Sequence, residues 1–225
     1  MRLLRRGDNP NAVAGVFLLI LLLAITGPNI LPRLASNIPN VDEGVPCSWL
    51  REGEDRAIHQ SLIGRDAGLS ALPPISLSVV TNALPSDPTS TLTVSITVVN
   101  NTIGTVPFLL PNDVVAVGID NNQPGLGVIF NGNSVVPPLG ANNVTYPEEQ
   151  IRLLSPRQRC VHRVSFQVSE LTGILGGFGN DTIIAYYRNG SRGAAQATVD
   201  GQIYIDQGLW IGVVQSDSFT IPVSP

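Results

Sequence analysis

Cys160 and His162 stand two residues apart in the run RCVHRVSFQV, and a thiol beside an imidazole is the pairing in this chain best suited to nucleophilic or redox chemistry. On a strand, positions 160, 162, 164, 166 and 168 (Cys, His, Val, Phe, Val) share one face, and Val161, Arg163, Ser165 and Gln167 share the other. The pair therefore lies on the apolar side. Buried cysteine behaves mainly as a small hydrophobe, so the pattern favours an inward face that begins with a disulfide or a buried thiol beside a hydrogen-bonded histidine. A Cys/His redox or metal centre is the weaker alternative.

The other chemistry-bearing residues do not form a recognisable constellation. There are two histidines, at 59 and 162, two cysteines, at 47 and 160, and a single methionine at position 1. A blue-copper site takes two His, a Cys and usually a Met, and a structural zinc site takes four thiols or imidazoles, two more than the domain after residue 74 offers. Serine hydrolysis has no G-x-S-x-G elbow here. Glu148 and Glu149 are adjacent, so a strand would point them to opposite faces, whereas glycoside hydrolysis needs two carboxylates across one cleft. Asp120, Asn121 and Asn122 read first as a turn and only second as calcium ligands. The run GILGGFGN over 173–180 lacks the lysine and the following helix of a phosphate loop. No catalytic, cofactor-binding or metal-ligating residue is expected, no cofactor is implied, and the chain reads as a non-enzyme.

Two features point to partners instead. Arg157, Arg159 and Arg163 share one parity on the strand whose other face is apolar, so an arginine stripe on its outer side is expected, with Arg152 nearby. Arginine is enriched at interfaces because its planar fork pairs with carboxylates; pairing with neighbouring Asp or Glu on a solvated face is the alternative. Trp49, with Leu50, adds a bulky apolar anchor that packs on the domain or on a partner. After residue 74, six arginines face ten carboxylates, a net charge of −4, so an acidic domain with few aromatics is not expected to bind nucleic acid. The sequons starting at Asn100, Asn143, Asn180 and Asn189 are expected by accident in a chain so rich in Asn and Thr.

Position-by-position alternation says what holds these residues. Ile75, Leu77 and Val79 alternate with serines, and Leu92, Val94, Ile96 and Val98 alternate with Thr93, Ser95 and Thr97, the period of half-buried strands. Further strands are expected over 113–119, 126–130, 151–154, 159–168, 182–188, 202–205, 209–214 and 219–223, separated by turn clusters such as NNQPG, NGNS and NGSRG. Nine or ten strands with no helical pattern between them argue a mainly β fold, an antiparallel immunoglobulin-like β-sandwich over 75–225. The Cys, Trp, Cys spacing of antibody domains is missing, so the likeness is one of architecture.

The start of the chain supplies an address. Residues 1–11 carry Arg2, Arg5 and Arg6, and 12–31 form an apolar run of 20 residues, long enough as a helix to cross the ~30 Å hydrocarbon core of a bilayer. The arginine excess before it places the N-terminus in the cytoplasm and the remainder outside. A cleavable signal peptide is the competing reading, opposed by the length of the apolar run and the missing A-x-A site. Residues 32–74 read as a proline-bearing linker followed by a short amphipathic helix from about 54 to 63. In an oxidising compartment Cys47 and Cys160 are available for one disulfide, against the alternative of two separate thiols.

The expectation is thus a single-pass cell-membrane protein whose extracytoplasmic domain is a protein-binding or accessory, structural subunit of a membrane complex. Its partners would be the bilayer, through residues 12–31, and a protein in or at the membrane. Carbohydrate or ligand binding through loops at one end of the sandwich is the alternative.

Overall fold

Serines and threonines alternating with Ile, Leu and Val leave strands Ile75–Thr81 and Thr91–Asn100 one course: the aliphatic side chains turn inward and the hydroxyls outward. A computed structural model of the chain describes residues 44–53, 73–111, 114–119, 122–132, 135–141, 144–176, 180–194 and 206–223. In chain order its strands are β1 (Val45–Pro46), β2 (Arg51–Glu52), β3 (Ile75–Thr81), β4 (Thr91–Asn100), β5 (Val106–Leu109), β6 (Ala116–Val117), β7 (Gly125–Phe130), β8 (Ile151–Leu154), β9 (Arg159–Gln167), β10 (Thr182–Asn189), β11 (Gly212–Gln215) and β12 (Phe219–Thr220).

They make three sheets: β1-β9-β4-β3; β11-β10-β7-β6, with β12 also on β10; and β2-β8-β5. The fold is mainly β and most neighbours run antiparallel. The expectation of an all-antiparallel arrangement is corrected at two places, since β1 pairs with β9 and β6 with β7 in parallel. Both exceptions are two-residue pairings at sheet margins, where no tight hairpin dictates direction.

The main core lies between the first two sheets. Leu92, Val94, Ile96 and Val98 of β4 and Ile75, Leu77 and Val79 of β3 face Leu126, Val128 and Phe130 of β7 and Ile183, Ala185 and Tyr187 of β10. Burying each Leu or Ile contributes about 1.5–3 kcal/mol. Phe130 meets Phe166 of β9 edge-on at 5.8 Å between ring centroids, and Tyr187 stacks on Trp210 at 5.7 Å. β7 and β10 are buried along both faces, because Ala116, Ile129, Val136 and Tyr186 form a second apolar cluster behind them. Their sequences are accordingly continuous apolar runs and not alternating ones. A Cβ at Gly127 would overlap the ring of Tyr186, so glycine is what lets that ring lie flat against β7.

The third sheet is closed by Leu109, Tyr146, Ile151, Leu153 and Leu209. β5 was absent from the sequence expectation: Val106, Pro107, Phe108 and Leu109 are all buried, so they show no alternation, and Pro107 argues against a strand. The strand expected over 159–168 stops at Gln167, and Val168–Leu171 form a 3-10 turn. Residues 12–31, the helix expected at 54–63 and the strand expected at 202–205 lie outside the described residues. Among the described residues no helix is long and apolar enough to cross a membrane.

Candidate functional site

β9 is the strand on which the sequence concentrated its chemistry. It pairs with β4 along nine residues, from Val99↔Arg159 to Thr91↔Gln167, which fixes the direction of every side chain on it. Cys160 is fully buried and bonded to Cys47 at a sequence separation of 113, with Cα atoms 4.9 Å apart, a distance within the usual span for such bridges. These are the only two cysteines of the chain. With the bridge closed, no thiolate is present to act as nucleophile or metal ligand. His162, opposite Ile96, is buried on the same inner face. It borders a cavity of about 210 Å³ lined also by Pro46, Cys47, Ser48, Val161 and Arg163.

The disulfide is the middle nail of a strap. Val45 and Pro46 pair with Cys160 and Val161, Cys47 bonds to Cys160, Leu50 is buried in the main core, and Arg51–Glu52 pair with Leu153–Arg152 of the third sheet. Residues 45–52 therefore cross from the first sheet to the third. At the bend, Cys47–Trp49 form a single 3-10 turn, closed by the Leu50 N–H donating to the Cys47 carbonyl at 3.2 Å. Leu50 turns in and Trp49 turns out, 76% exposed. The apolar anchor expected at 49–50 is thus split between the domain and solvent.

The arginine stripe survives only in part. Arg163 is exposed on the outer side of β9 and Arg159 is half-buried, its stem beside Gly44. Arg157 does not share their strand. It occupies the third position of the turn Ser155–Gln158, with φ +57°, after Pro156 and ahead of the Gln158 N–H that donates to the Ser155 carbonyl at 3.0 Å. Strand parity does not apply inside that turn. Arg152, expected near the stripe, belongs to β8 and is buried; it pairs with Glu52 at 3.2 Å and donates to the Glu149 carbonyl at 2.6 Å.

Around Arg163 the outer face of the first sheet is lined with hydroxyls. Arg163 lies opposite Ser95, Ser165 opposite Thr93 at 3.4 Å between hydroxyl oxygens, and Thr97 opposite Ser78. Three paired strands hold this surface. It has few charges and short side chains, so little rotamer entropy is lost when something settles on it.

Two of the four sequons are structural. The Asn100 amide donates to the carbonyls of Gly104, Leu154 and Ser155 at 2.7–2.9 Å, while its oxygen accepts from the N–H and hydroxyl of Thr102, both at 2.8 Å. The Thr102 hydroxyl in turn accepts from the Gly104 N–H at 3.1 Å. Asn189 repeats the arrangement: its amide donates to Ser191 and Trp210 carbonyls, its oxygen accepts from the Ser191 N–H, and the Ser191 hydroxyl accepts from the Gly193 N–H. Both belong to the pattern Asn-x-[Ser/Thr]-x-Gly at the end of a central strand, β4 or β10. That five-residue pattern was the signal available in the sequence, hidden by its overlap with a modification motif. Asn180 is exposed.

Sequence reasoning also missed a buried polar group. Arg188 is 1% exposed; it donates to the carbonyls of Ile119 and Gln123 and lies 5.4 Å from the ring centroid of Tyr186, whose hydroxyl donates to the Gly118 carbonyl at 2.6 Å. Together they fasten the loop after β6. Burial pushes the Tyr186 phenol up, opposed by the Arg188 charge. Tyr187, which accepts the Leu109 N–H at 3.1 Å, is pushed well above the usual tyrosine range by complete burial. At the surface, the N–H and hydroxyl of Thr89 hold the Asp87 carboxyl below its ordinary value. Glu148 and Glu149 sit in a 3-10 turn, where Glu148 accepts from Gln207 at 3.0 Å. Asp120 and Asn121 lie outside the described residues, as do 177–179 of the glycine-rich run. Among the described residues no three His, Cys, Asp or Glu side chains gather as a metal site. No known protein family matches the chain, and no characterised protein or solved structure is detectably similar to it.

Proposed function

We propose that the chain is a single-pass membrane protein, N-terminus in the cytoplasm, whose extracytoplasmic domain, of the immunoglobulin-like sandwich class, is a non-catalytic protein-binding accessory subunit of a membrane complex. The apolar run 12–31 supports the anchor. The Cys47–Cys160 bridge supports an oxidising compartment. The observation that carries the binding role is Arg163, exposed on a rigid face of short hydroxyl side chains. A partner carboxylate meeting the exposed charge of Arg163 gains a charge-assisted contact in addition to those the side chain makes within the domain, and the surrounding hydroxyls supply hydrogen bonds without large ordering costs.

Purification of the full chain from membranes in mild detergent tests this. A defined companion chain is expected with the unaltered protein and is lost with Arg163→Glu, which reverses the charge at an exposed position. A protein that remains monomeric and alone under mild solubilisation counts decisively against the reading. The hydroxyl-lined face also suits a sugar. Binding on a glycan array that Arg163→Glu abolishes, with no companion chain, would transfer the role to carbohydrate.

A further inference from the structure

We propose that Trp49 is a membrane contact that seats its indole in the headgroup layer of the bilayer anchoring the chain; this rests on the reading of residues 12–31 as a membrane span. The exposure of Trp49 is imposed by the fold. The residue closes the 3-10 turn Cys47–Trp49, and that turn is fixed by the disulfide at Cys47, by the buried Leu50 and by the pairing of Arg51–Glu52 with β8. These ties hold the backbone so that position 49 faces outward, and carrying it to the core side would break one of them.

The surroundings favour lipid over protein. An aromatic anchor of a protein interface sits inside a ring of contacts that exclude water. Within the strap, Ser48 and Glu52 are exposed and polar while Leu50 faces the core, so Trp49 stands alone as a bulky apolar side chain with wet neighbours. A single indole with an apolar ring and one N–H donor is satisfied at the level of lipid headgroups, where tryptophan is enriched.

Position agrees. From Leu31 to Gly44 there are 13 residue steps, a covalent reach of at most about 45 Å, and Trp49 follows five residues later. The other tryptophan, Trp210, is stacked on Tyr187. A contact too weak to recruit a free protein is sufficient for a tethered one, because the tether keeps the indole at high local concentration near the bilayer.

The test uses the full chain reconstituted into phosphatidylcholine vesicles, plain or with bromine-labelled acyl chains that quench tryptophan near the interface. The emission of Trp49 is read as the difference between the unaltered protein and Trp49→Phe, which leaves Trp210 as the common background. The expected result is flotation with the vesicles, a blue-shifted Trp49 emission, and its loss in brominated lipid. Flotation with equal Trp49 emission in both lipids overturns the lipid contact and leaves the anchor standing, with Trp49 then free for a protein partner. Failure to float overturns the anchor and this inference with it.

Discussion

Asn100 holds the corner where the chain leaves β8 in the third sheet and enters β9 in the first, because its amide reaches the Leu154 and Ser155 carbonyls at the end of β8 and its own N–H donates to the Gln158 carbonyl just ahead of β9. Replacing it by alanine removes five hydrogen bonds, those to Gly104 and Leu154 in buried places and the other three in part-buried ones, so Asn100→Ala is expected to lower stability by about 2–4 kcal/mol. Urea denaturation should show a lower midpoint, and a loss under about 1 kcal/mol would mean that the clasp is ornamental. The same buried amides cannot accept a glycan in the folded state, unlike exposed Asn180. Tyr187 yields a prediction in pH. In the unfolded chain its phenol ionises near pH ~10, whereas in the fold it stays protonated well beyond that. Above that pH the unfolded state holds fewer protons than the folded one, so stability falls as pH rises; below it this contribution is constant. Urea midpoints from pH 8 to 11 should be flat and then decline, and Tyr187→Phe should be weaker throughout, having orphaned the Leu109 N–H, but decline less. Asn100 stood out in the sequence only as the start of a sequon and Tyr187 not at all, because a buried Asn or Tyr is spelled like an exposed one until the neighbours are known.

At the level of elements, legibility followed alternation. β3, β4 and β9 repeat apolar and polar residues with period two because one face meets the core and one meets water, and those strands were readable. β5 was not, since both its faces are covered. β1 and β2 could not have been found from local pattern at all: two residues each, they are strands only because the disulfide and Leu50 lay them beside β9 and β8. The disulfide itself was expected, as one of two readings. Arg157 misled because parity was carried through a proline turn. The strap gives the prediction at this scale. The chain-entropy model assigns roughly 4–5 kcal/mol to closing a loop of this length, with native strain able to remove part of it. Cys47→Ser should therefore lower Tm and open the strap, so that limited proteolysis cuts near residue 50 while the paired strands β3, β4, β9, β7 and β10 resist. Equal melting with and without reductant would deny the strap any such role.

For the whole molecule, the proposed address and the scaffold are separate statements, one in residues 12–31 and the other in the strands from Ile75 onward. A reporter enzyme that matures only outside the cytoplasm, fused after Pro225, should be active in cells; activity of a cytoplasm-only reporter at that position would overturn the proposed topology. Arg163 and Trp49 were both marked in the sequence, but the hydroxyl face around the one and the strap that turns the other outward exist only when strands distant in sequence are brought together. The strap also has a consequence for the chain's biosynthesis. Under the proposed topology the N-terminus stays in the cytoplasm and the segment that follows the anchor crosses first, so Cys47 is presented long before Cys160, with 113 residues still to come, and in the interval Cys47 has no other cysteine of its own chain to join. Scrambled bonds within one molecule cannot form, and the correct one closes only once β9 has taken its place beside Val45 and Pro46. Oxidation is then a time stamp of a completed domain: in pulse-labelled cells, resistance to thiol alkylation should appear after resistance to protease, and a bond formed before the sheets assemble would show the order to be the reverse.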